Sequence, residues 1–143
     1  MNGYDIKAVA FFNEDLDCID PVYTVNGVDR GYFSESIAIT IMIDDIPVAC
    51  GGVHEVFKGS GVAWAWIDKN IPKACVRRVA MLLRKHFHEK VERHGFHRIQ
   101  ADVEVGLEKA ERFVRFLGFE SEGIMKAFGP DKQDYERYAY VRC

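Results

Sequence analysis

A chain of 143 residues, 48% hydrophobic and 13% aromatic, has the size of one domain and the composition of a folded one, which excludes intrinsic disorder. No stretch approaches the roughly 18 uninterrupted apolar residues of a membrane span, and the opening MNGYDIK lacks the apolar segment of a signal peptide. One cytoplasmic domain over residues 1–143 is therefore expected. The formal charge of −3 argues against a dedicated nucleic-acid binder, but it is unevenly spread. Asp15, Asp17, Asp20, Asp29, Asp44 and Asp45 make the first part acidic, whereas Lys73, Arg77, Arg78, Arg84, Lys85, Lys90 and Arg93 outnumber the acids around them. Cys18, Cys50, Cys75 and Cys143 form no CxxC pair, so buried free thiols are expected. His86, His88, His94 and His97 lack the i, i+4 pairing of a helical metal site, and no metal is expected.

Residues 5–12 alternate imperfectly, with Ile6, Ala8 and Ala10 against Lys7 and Val9, and suit a short first strand. Residues 13–36 mix their signals: Asn13 can cap a short helix through Leu16 and Ile19, while Asp20-Pro21 and Asn26-Gly27 mark turns. Residues 36–42 are rich in β-branched side chains and run into Asp44-Asp45, which predicts a strand ending in a tight turn. Residues 46–57 make the next strand, and Lys58-Gly59-Ser60-Gly61 reverses the chain. Residues 62–67 return, with Trp64 and Trp66 on one face and Ala63, Ala65 and Ile67 on the other, completing an antiparallel meander.

After Asp68-Lys69-Asn70 the apolar period lengthens: Cys75, Val79, Leu82, Leu83, Phe87 and Val91 share the face of a long helix. Asn70 is its expected N-cap, Pro72 a first-turn residue and Gly95 its C-terminal cap. Residues 96–105 alternate again, with Ile99, Ala101 and Val103 opposite Arg98, Gln100, Asp102 and Glu104. The resulting β-α-β unit requires two parallel strands. Residues 107–117 form a second amphipathic helix closed by Gly118. Residues 123–128 and 134–141 flank Gly129-Pro130-Asp131-Lys132 as a terminal hairpin.

This order of elements resembles the GNAT superfamily of acyl-CoA-dependent N-acetyltransferases. IPVACGG at 46–52 is similar to that family's strand after an acidic turn, GFHRI at 95–99 to its helix-to-strand turn, and AERFVRFLGF at 110–119 to the AxxxYxxxGF ending of its last helix. The fold class implied is α/β (α+β), a GNAT-like mixed sheet with an antiparallel meander, then β-α-β-α and a terminal β-hairpin. The resemblance also implies acetyl-CoA as cosubstrate, inserted where the strand of residues 62–67 parts from that of residues 98–105. Its pyrophosphate would rest on backbone N–H groups at the start of the long helix. The cofactor residues implied are Trp66, Ile67, Asp68, Lys69, Asn70, Lys73, Ala74, Arg77, Arg78 and Phe113.

Two departures from the family pattern stand out. The usual R/QxxGxG/A loop is replaced by residues 68–75 without a glycine, and Pro72 brings no N–H to the phosphates. Lys69, Lys73, Arg77 and Arg78 supply charge there instead. Val114 and Leu107 occupy the family's frequent tyrosine and asparagine positions, and neither donates a proton. The sequence is also similar to small bacteriophage GNAT-like proteins that lack the glycine loop, internal virion proteins among them. That likeness implies a catalytically silent host-interaction or virion protein in the host cytoplasm.

Acetyl transfer to a primary amine needs the amine deprotonated and held against the thioester. Glu104 and His54 are the catalytic base candidates: Glu104 lies on the polar face of a strand bordering the gap, and His54 has the pKa range for work near neutrality. Tyr135, Tyr138 and Tyr140 are candidates for the acid, each with packing across the sheet as its structural alternative. The expected partners are an amine-bearing substrate, protein or small molecule, or a host protein, and a homodimer is compatible with either.

Overall fold

The computed structural model describes residues 3–21 and 37–142. Seven strands form one sheet: β1 (Ile6–Ala10), β2 (Ile37–Ile43), β3 (Ile46–Phe57), β4 (Ser60–Ile67), β5 (Arg98–Glu104), β6 (Glu120–Met125) and β7 (Tyr135–Val141), in the order β1-β2-β3-β4-β5-β7-β6. A 3-10 helix (Asn13–Cys18) lies before β2, α1 (Lys73–Arg93) joins β4 to β5, and α2 (Glu108–Leu117) joins β5 to β6. β4 and β5 are parallel and all other neighbours antiparallel, which matches the expected meander, β-α-β unit and terminal hairpin. The turn expected at Asn26-Gly27 lies outside the described residues.

Asp44 and Asp45 both adopt positive φ, 50° and 66°, so the β2–β3 turn is of the two-residue kind that follows strand twist. It is fastened to β1: Asp5 N–H donates to Asp44 Oδ1 at 2.9 Å, and Lys7 Nζ lies 2.8 Å from Asp45.

Several boundaries differ from the sequence expectation. The 3-10 helix has Phe12 at its cap position instead of Asn13. α1 begins at Lys73 with Pro72 as N-cap at ψ 135°, because a proline at 72 disfavours a helical Ile71 before it; the Asn70 N–H is bonded to Asp68 Oδ1 at 2.9 Å. β6 spans Glu120–Met125, three residues earlier than expected, and the turn after it is closed by Ala127 N–H on Asp134 Oδ1 at 2.9 Å and Gly129 N–H on Gln133 O at 3.0 Å.

Alternation along each strand sends one apolar set toward the helices and another away from them. On the helix side, Ile39, Ile41 and Ala49 pack on Cys75, Val79 and Leu83, and Ile99, Ala101 and Val103 pack on Ala110, Val114 and Leu117. Phe113 of α2 touches both clusters. On the other side, Leu16 and Ile19 cover Cys50 and Trp64. Asp15 pins that cover by accepting from Thr40 Oγ1 at 2.7 Å and Phe12 N–H at 3.0 Å. Cys50 and Cys75 are buried as expected, but Cys18 is exposed at the end of the 3-10 helix. Among the described residues no helix is long and apolar enough to cross a membrane.

Gly52 sits where β3 runs closest to β2. A Cβ there would lie 2.6 Å from Ile37 O and 2.7 Å from Ala38 Cβ, and the backbone oxygen cannot rotate away. Gly52→Ala is expected to cost about 2 kcal/mol or more, read as a fall in Tm of roughly 5–10 °C. An unchanged Tm would mean that the meander is more loosely packed than described.

Candidate active site

β4 and β5 are hydrogen-bonded over three pairs only, Ser60↔Arg98, Gly61↔Ile99 and Val62↔Gln100. β4 remains paired with β3 to Ile67, and β5 with β7 to Glu104. Residues 63–67 and 101–104 therefore diverge as a wedge whose facing edges carry peptide groups outside the β4–β5 ladder. Phe113 underlies this wedge, since its two clusters include Ala101 and Val103 of β5 on one side and Ile67 of β4 on the other.

On the helix side the end of β4 opens into a groove of about 420 Å³. Ile67, Asp68, Lys69 and Ile71 form one end. Val76, Val79, Ala80 and Leu83 of α1 form one wall, and Lys109, Ala110, Arg112, Phe113 and Phe116 of α2 the other. The floor is apolar and the α2 rim cationic, a combination that suits an elongated ligand with a charged end. A second depression, of about 570 Å³, shares Ala80 and Phe116 with the groove and adds Arg77, Met81, Arg84, Lys85 and His88.

Of the cofactor residues expected from sequence, Ile67, Asp68, Lys69 and Phe113 line the groove, and Arg77 lines the depression beside it. Trp66 points to the opposite face of the sheet, packed beside Trp64 and Cys50 under the 3-10 helix. Asn70, Lys73, Ala74 and Arg78 are outside the lining of both. The loop before α1 is committed to the protein itself. Asp68 N–H donates to Val48 O at 2.9 Å, Lys69 N–H to Asp20 O at 3.0 Å, and Lys69 Nζ lies 2.9 Å from Asp20 Oδ2. Pro72 removes no donor from the helix, because it precedes the first turn. The amides of Lys73 and Ala74 open α1 without intrahelical acceptors, and Cys75 N–H is bonded to Pro72 O at 2.8 Å.

Of the α2 wall, sequence reasoning found Phe113 and missed Lys109, Arg112 and Phe116. Lys109, Arg112, Phe113 and Phe116 recur at i, i+3, i+4 and i+7, which puts cations and aromatics on one helical face. That spacing was available, but α2 reads first as its buried stripe of Ala110, Val114 and Leu117.

The other face of the wedge carries the polar residues of β5 and β7. Glu104 stands directly opposite Tyr135 at the open end. Burial holds the Tyr135 phenol above its ordinary pKa, and the charges of Glu104 and Asp102 push in the same direction, so it stays protonated. Asp102 is engaged by Arg137, Nε to Oδ1 at 2.9 Å and the terminal nitrogen to Oδ2 at 3.3 Å. Arg98 makes a two-point contact with Glu122 at 2.9 and 2.7 Å. His54 pairs with Val62, level with the last β4–β5 bonds and five residues from the mouth at Ile67, about 16 Å at strand rise.

Glu104 and Tyr135 are thus brought together, and His54 lies at the closed end. Tyr138 is buried on the helix face, where its hydroxyl donates to Glu136 Oε1 at 3.1 Å and the Arg115 guanidinium lies 5.5 Å from its ring. Tyr140 packs against Phe87 and His88 on the same side. Neither reaches the far face of the wedge. Trp64 is core, edge-on to Phe11 at 5.4 Å.

An acyl-CoA molecule combines an amide-bearing apolar arm with a polyanionic nucleotide; strand edges outside the β4–β5 ladder and an apolar floor could hold such an arm, and cations on α1 and α2 its phosphates. Among the described residues no group of three His, Cys, Asp or Glu side chains is placed to hold a metal ion.

No protein-family profile matches the sequence, and no curated protein matches it. Solved structures do match its shape. The ribosomal-protein-S18-alanine N-acetyltransferase from Escherichia coli is 14% identical, with 96% of this chain and 94% of that chain covered at a TM-score of 0.73. Ard1 from Thermoplasma volcanium is 11% identical, with 96% and 98% covered at 0.77. An acetyltransferase of GNAT family from Streptococcus pneumoniae is 12% identical, with 97% and 100% covered at 0.76. At such identities the likeness establishes the fold, and the fold is that of the GNAT acetyltransferases.

Proposed function

We propose that this protein is an acyl-CoA-dependent N-acetyltransferase that moves an acetyl group to a primary amine. The observation that carries the reading is the wedge: a parallel β4–β5 ladder that stops after Val62 and Gln100 and opens onto a groove between α1 and α2. The wedge leaves strand edges outside the β4–β5 ladder, and the amides of a pantetheine arm suit such edges through strand-like hydrogen bonding. The acyl-CoA supplies the activated thioester carbonyl. Ile67 and Phe113 flank its entry, and the cations of the two helices hold its phosphates.

The acceptor amine approaches from the face bearing Glu104 and Tyr135. Glu104 takes the proton that the attacking nitrogen loses. The new C–N bond forms as the C–S bond breaks, and the departing thiolate takes a proton from the Tyr135 hydroxyl, in place of the donor that Val114 cannot be. Strand-edge N–H groups of β4 stabilise charge on the carbonyl oxygen. The acidic residues of the N-terminal part and of the 3-10 helix favour a cationic acceptor.

Calorimetric titration with acetyl-CoA tests the reading. Binding in the micromolar range together with acetylation of a primary-amine panel supports it. Absence of heat at millimolar acetyl-CoA removes it, leaving a catalytically silent domain of the same shape.

A further inference from the structure

In the GNAT pattern the loop before the long helix presents backbone to phosphate, and here the amides of residues 68–70 in that loop are already bonded within the protein and Pro72 has none. The Asn70 amide is bonded to Asp68 Oδ1, the Lys69 amide to Asp20 O, and the Lys69 ammonium to the Asp20 carboxylate. The remaining cations near the groove lie elsewhere: Lys109 and Arg112 on its α2 rim, and Arg77, Arg84 and Lys85 in the adjoining depression. Among the described residues the lining of that depression holds no carboxylate. It does hold exposed apolar surface, Met81 at 50% and Phe116 at 37% relative exposure, with the Arg84 guanidinium 4.9 Å from the Phe116 ring centroid. Cations beside an aromatic face form a composite that suits a phosphorylated nucleoside, through charge on one side and stacking on the other.

We propose that the nucleotide end of CoA is held by side chains on the facing flanks of α1 and α2, with its ribose 3′-phosphate in the Arg77–Arg84–Lys85 depression, instead of by the loop backbone. This rests on the acyl-CoA reading and adds to it where the discriminating charge sits. Recognition through exposed cations is strongly screened by salt, whereas a backbone nest at a helix end is less so.

The experiment compares CoA with 3′-dephospho-CoA by calorimetry at low and high salt, in the wild type and in an Arg77→Glu/Lys85→Glu variant checked for unchanged Tm. The wild type is expected to prefer CoA by at least roughly ten-fold at low salt, with the preference shrinking as salt rises. The variant is expected to lose that preference while binding 3′-dephospho-CoA within about two-fold of the wild type. Equal affinities of the wild type for the two ligands, equal losses of both in the variant, or a larger loss from Lys73→Glu than from Arg77→Glu would each overturn the proposal while leaving the acyl-CoA reading standing. Failure of the wild type to bind either ligand removes that reading itself. The preference of the unmutated protein gives the answer even if the double variant does not fold.

Discussion

Glu104→Gln is expected to lower kcat/KM for acetyl transfer by roughly 10²–10⁴-fold while the affinity for acetyl-CoA stays within about two-fold. The size follows from the chemistry. A protonated amine has no lone pair with which to attack a thioester, so the base proposed at this side of the wedge would act on the chemical step itself. The selectivity follows from position, because Glu104 lies on the face of β5 turned away from the groove between α1 and α2 that is proposed for the cofactor. The amide of Gln fills the same space and keeps hydrogen bonding but accepts no proton at neutral pH. Activity of the variant should recover partly as pH rises and the free-amine fraction of the acceptor grows. His54→Gln, at the closed end of the wedge, should remain within about three-fold of the wild type. If His54→Gln shows the large loss and Glu104→Gln does not, the two assignments exchange.

A second large effect is expected in alkali. The Cys50 side chain is fully buried, and that burial pushes its thiol up to about 12; the contact with Thr40 Oγ1 at 3.4 Å opposes the shift only in part. The folded pKa thus lies above the ordinary value of 9.0, so the protein favours the neutral thiol. The corresponding stability is fully present below about pH 9 and is lost as pH rises toward 12, at about 1.4 kcal/mol per pH unit. Tyr135 and Tyr138, both raised first by burial, add to the loss above pH 10. Chemical denaturation between pH 8 and 10 should show the midpoint falling steeply from pH 9 in the wild type and more gently in Cys50→Ala. Parallel curves for the two proteins would show that the thiol does not titrate on unfolding.

The parts of the fold that could be read from the sequence are those in which burial writes a pattern. β2 to β5 alternate because one face meets the helices, and α1 carries an apolar stripe because it lies across β2 and β3. β6 left no such pattern. Every residue from Glu120 to Ile124 is exposed, so nothing in its composition marks where pairing with β7 begins, and the strand was expected three residues late. The start of α1 was misplaced for a steric reason: Asn70 looks like a cap, but Pro72 keeps Ile71 out of the helix and itself holds the position before the first turn.

The candidate site was legible in outline and not in detail. Its location between β4 and β5 was implied by the resemblance to the GNAT family, whereas its lining depends on which way each side chain points. Alternation sends Trp66 to the 3-10 helix side, away from the groove, and brings Ile67 into it. The same alternation, extended across β5 and β7 by their register, sets Glu104 beside Tyr135 and removes Tyr138 and Tyr140 to the helix face. The wedge itself has no sequence signal, because it is a failure of two strands to pair that otherwise carry ordinary strand patterns.

The most direct test of the account is a crystal structure grown with saturating acetyl-CoA. The account predicts the pantetheine arm hydrogen-bonded between residues 63–67 and 101–104, with its thioester reached from the side of Glu104 and Tyr135. A closed wedge filled by protein side chains, with no ligand density between β4 and β5, would contradict it.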